Sequence, residues 1–275
     1  MVIAEAFSVI KSLLKKADII DPAYEAGEII KEVTALNPLL SGHTEITPEQ
    51  YGKLLTIAEK RISGMPLQYI FGKWEFYGYP FYVGKGVLIP RPETELLVDL
   101  AVEYCSKEST VIDLCSGSGC IPVSISLETG AKTYGVELYD EAYGYFISNI
   151  ELNKAEVIPV KGDVLDENIL PDLSFDAIFS NPPYLTSEEM KKLQREVAFE
   201  PETALFGGED GLTFYRRIIP LWAPRLKENG IFAVEIGETQ GEAVKAIMEE
   251  NGLSAEIIKD YSCHDRIVKG KHKPI

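Results

Sequence analysis

The stretch 110-TVIDLCSGSG-119 decides the fold of this chain. Its first half is a short apolar run rich in β-branched residues, which predicts a buried strand. Its second half holds two glycines separated by one residue, which is typical of a tight turn. We therefore expect a strand over 110–114, a glycine turn and a helix over 120–129, which together open an α/β domain.

The sequence beyond this unit alternates between strand and helix patterns. Further strands are predicted over 132–137, 157–160, 175–180, 231–236, 254–259 and 266–269, and helices over 140–153, 212–226 and 240–251. This alternation predicts a Rossmann-like α/β fold with a mainly parallel, seven-stranded sheet. Ligands of such sheets bind at the carboxyl ends of the strands, so the chemistry is expected there.

The sequence before residue 91 has a different character. Residues 1–72 show apolar residues at helical spacing, and Asp21-Pro22 and Thr47-Pro48 are typical helix starts. Residues 73–90 are rich in aromatic and β-branched residues, which predicts a β-hairpin. We expect a helical domain over 1–72, a β-hairpin connector over 73–90 and the α/β domain over 91–275.

The overall composition excludes several classes of protein. The formal net charge is -16, and because proteins that grip duplex DNA usually carry a basic footprint, no direct nucleic-acid binding is expected. The four cysteines form no C-x-x-C pair and the three histidines do not cluster with them, so no metal site is expected. The chain shows no signal-peptide pattern and no apolar run that approaches a membrane span. We expect a cytoplasmic protein without membrane contact, and a monomer because no apolar repeat suggests assembly.

The glycine turn admits three interpretations. It can be an ordinary strand–helix turn, or a dinucleotide loop, although that loop needs a third glycine where this chain has Pro122. The third interpretation is an S-adenosylmethionine site, which pairs such a turn with an acidic residue, here Glu137, at the end of the second strand. Gly117 and Gly119 would let the backbone approach the ligand, and Glu137 would accept the ribose hydroxyls. Asp163-Val164 follows the third strand, where an adenine ring would lie.

The tetrapeptide Asn181-Pro182-Pro183-Tyr184 ends the fourth strand. Asn-Pro by itself often marks a turn, but the four residues beside an S-adenosylmethionine pocket suit methyl transfer to a planar nitrogen. Such a nitrogen is a poor nucleophile, and no side-chain base deprotonates it at neutral pH. The Asn181 side-chain oxygen and the Pro182 carbonyl can each accept one N–H, and the Tyr184 ring can pack on the planar group. We predict Asn181, Pro182 and Tyr184 as catalytic residues, with Pro183 completing a stiff substrate-binding loop.

This tetrapeptide does not choose between acceptors. The exocyclic amino groups of adenine and cytosine present the same planar NH₂ as a glutamine side chain, so a DNA or RNA amino-methyltransferase is the alternative enzyme. A non-catalytic binder that retains a methyltransferase fold is the alternative from another class. The first predicts a basic cleft, which the acidic composition disfavours. The second predicts a lost acceptor loop or cofactor acid, and both are present here.

Segments along most of the chain resemble the release-factor glutamine methyltransferase family, also called HemK-type. They are residues 66–72, 76–78, 87–95, 113–119, 181–184, 200–201, 204–205, 210–212, 235–240 and 265–266. The resemblance implies a class I methyltransferase fold and N5-methylation of the glutamine in the Gly-Gly-Gln motif of class I peptide chain release factors. It implies S-adenosyl-L-methionine as methyl donor, S-adenosyl-L-homocysteine as product, and a helical N-terminal domain that engages the release factor.

The resemblance also supports a set of cofactor contacts. Together with the strand-end argument above, the expected residues are Cys115, Ser116, Gly117, Ser118, Gly119, Glu137, Asp163, Val164 and Asn181. The chain departs from the family pattern at Cys115, where glycine is usual, and at 261–266, where a small Ala-Gly pair is usual.

Other polar residues invite a functional interpretation. Arg91, Thr94 and Glu95 either border the cofactor pocket or cap a helix, and the sequence leaves both possibilities open. For Glu235, at the end of the fifth strand of the α/β domain, a structural role is favoured over one at the rim of the site. His264 lies near the last strands, away from the predicted site, and is assigned no proton-relay role.

Overall fold

A computed structural model describes residues 1–170 and 172–273 of the chain. They form two compact units. The helical unit comprises Met1–Gly72 together with the segment Gln194–Phe199, and the α/β unit comprises the remaining described residues. Across the described part of the chain, no helix has the length and apolarity that would be needed to cross a bilayer.

The helical unit consists of helices in the region where the sequence periodicity predicts them. Its helices are α1 (Ile3–Lys16), α2 (Pro22–Thr34), α3 (Pro48–Ile62) and α4 (Leu67–Phe71). Both predicted helix starts are confirmed, since Asp21 accepts a hydrogen bond from Tyr24 N, and Thr47 and Gln50 form a reciprocal capping box. The apolar faces of the helices meet in one buried cluster.

The α/β unit begins with a hairpin and continues as alternating strands and helices. Its elements are β1 (Lys73–Phe76), β2 (Tyr79–Tyr82), α5 (Glu95–Tyr104), β3 (Thr110–Leu114), α6 (Cys120–Thr129), β4 (Lys132–Glu137), α7 (Asp140–Asn153), β5 (Val157–Lys161), β6 (Phe175–Ser180), α8 (Ser187–Met190), α9 (Thr213–Trp222), β7 (Leu226–Glu235), α10 (Gly241–Glu250), β8 (Leu253–Lys259) and β9 (Asp265–His272).

The large sheet has the strand order β5-β4-β3-β6-β7-β9-β8. Strands β5, β4, β3, β6 and β7 run parallel, while β9 is antiparallel to both β7 and β8. The predicted mainly parallel, seven-stranded sheet is therefore confirmed. The chain order reverses at β3, whose neighbours are β4 and β6, and such a reversal opens a crevice at the carboxyl ends of the strands.

The register of the central strands brings the predicted site residues to one edge. Leu114 at the end of β3 pairs with Val136 of β4 and with Ser180 of β6. The residues that follow these strands are the glycine turn, Glu137 and Asn181. They lie far apart in sequence and meet at one edge because parallel strands end on the same side of the sheet.

The structure differs from the sequence predictions in two places. The paired strands of the hairpin end at Tyr82, although the β-rich composition continues to Ile89. In this stretch Val83, Val87 and Ile89 are buried, so its β-branched residues serve packing rather than strand pairing. The helix predicted over 212–226 ends at Trp222, and strand β7 begins at Leu226 instead of residue 231.

Candidate active site

A cavity opens at the carboxyl ends of β3, β4 and β6. It measures about 910 Å³, counting the space at its mouth that is open to solvent. Its lining consists of residues 86–88, 90, 91, 94, 115–118, 120, 121, 136–139, 142, 162–164, 181, 183, 201, 203, 204 and 214. These residues come from the segments that follow β3, β4, β5 and β6 and from the segment after the hairpin.

The glycine turn is built into the sheet by backbone hydrogen bonds. Ser116 N donates to Val136 O at 2.9 Å, and Gly119 N donates to Ser116 O at 2.8 Å. Gly117 has a φ of +55°, and open space surrounds the position that a Cβ would take. Gly117 therefore presents bare backbone to the cavity, as the sequence predicts.

Gly119 serves a different purpose from the one expected. It does not line the cavity, whereas Cys115, Ser116, Gly117 and Ser118 do. Its φ is +80°, and a Cβ there would lie 2.1 Å from the ring of buried Phe146. The glycine is required for packing of α6 against α7, and its proposed contact with a cofactor stays a prediction.

Cys115 occupies the position at which a glycine was expected. Its φ is +65°, in the left-handed region that side chains rarely adopt, at a cost of about 1–2 kcal/mol. The side chain lines the cavity and packs against the core on one face of the sheet. Burial, reinforced by the charges of Glu137 and Asp113, raises the pKa of its thiol. Cys115 is therefore a neutral packing residue and not an activated nucleophile.

Glu137 is held by the backbone around it. Its Oε2 accepts a hydrogen bond from Gly117 N at 2.8 Å, and its Oε1 accepts one from Tyr139 N at 2.7 Å. Burial raises the pKa of this carboxyl, while the backbone donors and Lys161 oppose the rise. Each carboxylate oxygen has a second lone pair, so Glu137 can still accept hydroxyl donors from a ligand in the cavity.

The part of the cavity lining next to Glu137 is mostly apolar. Val164 is buried, while Leu138 and Tyr139 remain 42% and 43% exposed although they line the cavity. The neighbouring Asp163 also lines the cavity, and its Oδ1 accepts a hydrogen bond from Leu165 N at 2.8 Å. Exposed apolar side chains next to a hydrogen-bonding carboxylate suit a flat, partly polar ring system.

The acceptor loop begins where Ser180 closes the sheet. Ser180 Oγ donates to Leu114 O at 2.7 Å, and the two prolines that follow are buried. Asn181 and Pro183 line the cavity, but Pro182 does not. The Asn181 side chain donates from Nδ2 to Thr94 Oγ1 at 3.2 Å. The predicted acceptor residue and the predicted cofactor acid Glu137 thus line the same cavity.

Tyr184 does not line the main cavity. It lines a second cavity together with Thr186, Leu212 and Gln240. Gln240 Nε2 donates to Tyr184 O at 2.9 Å and pins the loop. Burial, followed by the charge of Glu235, raises the pKa of the Tyr184 hydroxyl, so it stays protonated. Packing of its ring on an acceptor group stays a prediction.

Four further polar residues were considered for the site, and two of them line the cavity. Arg91 and Thr94 line the cavity, and Thr94 makes no side-chain cap to α5, which supports the pocket interpretation over the helix cap. Glu95 points elsewhere, because its Oε1 accepts a hydrogen bond from Tyr77 N at 2.7 Å. His264 is exposed on the turn before β9, and it lines neither of the two cavities described above.

Sequence reasoning missed several lining residues. They are Gly86, Val87, Leu88, Pro90, Pro201, Thr203, Ala204 and Phe214. Glu200 ties two of these stretches together, because its buried carboxylate accepts a hydrogen bond from Ile89 N at 2.9 Å and pairs with Arg91. A signal was present, since 87–95, 200–201 and 204–205 are among the segments that resemble the family. Within the described residues, no three His, Cys, Asp or Glu side chains gather as metal ligands would.

Comparisons with known proteins identify the family of the chain. The family model for the PrmC N-terminal domain matches residues 5–72, and that for the TRM5/TYW2 methyltransferase domain matches residues 100–200. The chain is 39% identical to the release factor glutamine methyltransferase of Thermodesulfovibrio yellowstonii, over 89% of this chain and 90% of that protein. It is 34% identical to that of Caulobacter vibrioides, over 100% of this chain and 98% of that protein.

A solved structure shares the fold. A methyltransferase from Pyrococcus furiosus superposes with a TM-score of 0.56, at 18% identity, over 71% of this chain and 89% of that protein. At this identity the likeness concerns the arrangement of strands and helices, which is that of a Rossmann-like methyltransferase domain.

Proposed function

The chain belongs to the release factor glutamine methyltransferase family, and on that premise we propose how its residues divide the work of the reaction. The enzyme uses S-adenosylmethionine to methylate the N5 amide nitrogen of a release-factor glutamine. We propose that this glutamine belongs to the Gly-Gly-Gln motif of class I peptide chain release factors. We further propose that residues 181–184 hold it, and that the helical unit engages the rest of the release factor.

The residues of the large cavity fit S-adenosylmethionine. Glu137 offers carboxylate lone pairs for ribose hydroxyls, and exposed apolar Leu138 and Tyr139 offer a surface for adenine next to Asp163. Gly117 leaves backbone accessible for the methionine portion before the N-terminus of α6. When bound, S-adenosylmethionine supplies a methyl group that is already activated on a sulfonium sulfur.

The protein's own task is to orient the acceptor nitrogen. The lone pair of an amide nitrogen is delocalised, and no side-chain base removes its proton at neutral pH. The Asn181 Oδ1 and the Pro182 carbonyl oxygen each accept one N–H of the glutamine amide, which fixes the plane of the group. Buried Pro182 and Pro183 keep the loop stiff. Positioning of this kind contributes on the order of 7–11 kcal/mol in well-oriented reactions.

One observation carries the assignment of roles. Glu137 ends β4 and Asn181 follows β6, yet both line one cavity, so a donor held by Glu137 and an acceptor held by Asn181 would share that cavity. Neither a metal nor a covalent enzyme intermediate is part of the proposed reaction.

The experiment is label transfer followed by mapping. The protein is incubated with S-adenosylmethionine carrying a labelled methyl group and a class I release factor, and the modified peptide is identified by mass spectrometry. Label on the Gly-Gly-Gln glutamine is expected, and a release factor with alanine at that glutamine is the matched control. Label elsewhere or absent would overturn the proposal, and label on DNA or ribosomal RNA would favour the amino-methyltransferase alternative.

A further inference from the structure

The side chain of Asn181 is the first member of a buried hydrogen-bond chain. Asn181 Nδ2 donates to Thr94 Oγ1 at 3.2 Å, and Thr94 Oγ1 donates to Glu235 Oε2 at 2.6 Å. Thr94 is 2% exposed and Glu235 is 1% exposed, so water does not compete for these groups. The chain links the acceptor loop to the start of α5 and to the end of β7.

Counting protons decides which way the Asn181 amide faces. A threonine hydroxyl has a single proton to donate, and when Glu235 is ionised the short contact to its carboxylate uses that proton. Toward Asn181 the hydroxyl oxygen can therefore only accept, and it must meet the NH₂ side of the amide. The opposite rotamer would set two acceptor oxygens against each other in a buried place, which is unfavourable.

Glu235 is held in place by its neighbours and does not line the cavity. It ends β7, pairs in register with Ile267 of β9, and its backbone oxygen accepts a hydrogen bond from Tyr215 at 2.7 Å. Its second carboxylate oxygen lies 3.4 Å from the Tyr184 hydroxyl. Glu235 is absent from the cavity lining, whereas Thr94 is part of it. Any effect of Glu235 on the reaction must therefore pass through its neighbours.

We propose that Thr94 and Glu235 are positioning residues that hold the Asn181 side-chain oxygen toward the acceptor amide. This inference rests on the proposed function, because only a planar NH₂ acceptor needs an oxygen at that place. A flipped Asn181 would present its own N–H groups to the N–H groups of the substrate. The oxygen and the NH₂ of an asparagine amide are nearly equal in shape, and these hydrogen bonds thus fix which of the two faces the substrate.

Matched variants separate this role from packing. Thr94→Val keeps the shape and removes the hydroxyl, and Thr94→Ser restores it. We expect Thr94→Val to lower kcat by about 10- to 100-fold, with the Kd for S-adenosylmethionine and the KM for the release factor nearly unchanged. Thr94→Ser should recover most of kcat. Equal kcat for Thr94→Val and the parent enzyme would overturn the proposal, as would loss confined to KM.

Variants of Glu235 test the other end of the hydrogen-bond chain. In Glu235→Gln the amide oxygen can still accept from Thr94 while the new NH₂ donates to the Tyr184 hydroxyl, so kcat should stay within about threefold of the parent value. In Glu235→Leu the Thr94 proton is released to the Asn181 oxygen, which reverses the amide, and kcat should fall as in Thr94→Val. Similar kcat values for the two Glu235 variants would contradict a role through Thr94.

A double-mutant cycle locates the effect at Asn181. Residues that act through one partner are not additive, so Thr94→Val should cost nothing further in an Asn181→Ala background. An undiminished effect in that background would show that Thr94 acts by another route. Thermal unfolding of each variant checks that the fold is retained.

A readout without turnover keeps this inference separate from the proposed function. With ¹⁵N-asparagine labelling, the side-chain NH₂ signal of Asn181 is identified by its disappearance in Asn181→Ala. Its protons should exchange with solvent more slowly in the parent protein than in Thr94→Val or Glu235→Leu. Equal exchange rates would overturn the hydrogen-bond chain whatever the acceptor, whereas absence of release-factor methylation by the parent enzyme would overturn only the proposed function.

Discussion

The carboxylate of Glu137 accepts a hydrogen bond from the backbone N–H of Gly117 at 2.8 Å. This bond joins the end of β4 to the turn that follows β3. The residue proposed to recognise ribose therefore also holds the turn proposed to face the methionine portion of the cofactor. Loss of the carboxylate should disturb both ends of the binding site together.

For that reason Glu137→Ala should weaken S-adenosylmethionine binding more than it slows turnover. Hydrogen bonds to a charged group contribute about 1.5–3 kcal/mol each, so we expect Kd to rise by about 10- to 100-fold. Calorimetric titration measures it. Glu156→Ala, which removes an exposed carboxylate after α7, is the control and should bind normally. An unchanged Kd in Glu137→Ala would refute its role in binding.

The Asn181→Ala variant should show the opposite pattern. It removes one of the two proposed acceptors for the glutamine N–H groups, so kcat should fall by about 100-fold or more, while cofactor affinity stays largely intact. Single-turnover kinetics with saturating S-adenosylmethionine measure the chemical step. The exposed Asn168→Ala serves as control. Equal losses of cofactor affinity and of kcat would contradict a positioning role.

The two glycines of the turn should respond differently to alanine. Gly119→Ala would place a Cβ 2.1 Å from the Phe146 ring at a φ of +80°, and overpacking plus backbone strain should cost about 3 kcal/mol. Gly117→Ala meets open space and should cost about 1 kcal/mol, from its backbone conformation alone. Urea unfolding measures both. Equal destabilisation would show that packing against Phe146 is unimportant.

Glu235 should make the protein less stable as pH rises. Burial, opposed by the Thr94 hydrogen bond and the charge of Arg266, raises the pKa of this carboxyl from 4.5 to about 7. Between these values the folded state holds more protons than the unfolded state, so the free energy of unfolding falls with increasing pH. Glu235→Gln lacks this titration, so its stability relative to the parent protein should increase by about 2–3 kcal/mol between pH 5 and 8. Parallel stability curves for the two proteins would refute the shift.

Arg61 should be essential to the helical unit. Its guanidinium is buried, forms a fork to Glu25 at 2.7 and 3.0 Å, and also pairs with Glu196. Arg61→Met leaves both carboxylates without their cation, which should cost about 3 kcal/mol. Arg61→Lys retains the charge but not the fork, and should lie between the parent and Arg61→Met. Thermal unfolding ranks the three, and an unaffected Arg61→Met would show that the cluster contributes nothing.

The sequence predicts those parts of the fold and site that depend on local pattern. Strand and helix periodicity locates β3, β4 and β6 to the residue, and the residues after these strands, Glu137 and Asn181, follow from the rule for parallel sheets. The end of the paired strands at Tyr82 does not follow from the sequence, because the β-branched residues of 83–89 suit burial as well as strand pairing.

Contacts between distant residues could not be predicted in this way. Thr94 and Glu235 are 141 positions apart, and each has an ordinary local explanation, a helix start for one and a strand end for the other. Their connection to Asn181 depends on how β6, β7 and α5 are placed in three dimensions. Similarly, no local pattern around Glu196 points to Arg61, 135 positions earlier.

The segment Gln194–Phe199 belongs to the helical unit although it is encoded within the second half of the chain. Besides the Arg61 ion pair, Arg195 donates to Ser63 O at 3.0 Å, and its side chain packs where Gly64 has no Cβ. The helical unit is therefore built from two separate stretches of sequence, and recombination cannot exchange it as one continuous segment. A chimera that transplants residues 1–72 from a relative must bring that relative's version of 194–199 with it, or inherit mismatched charges around Arg61.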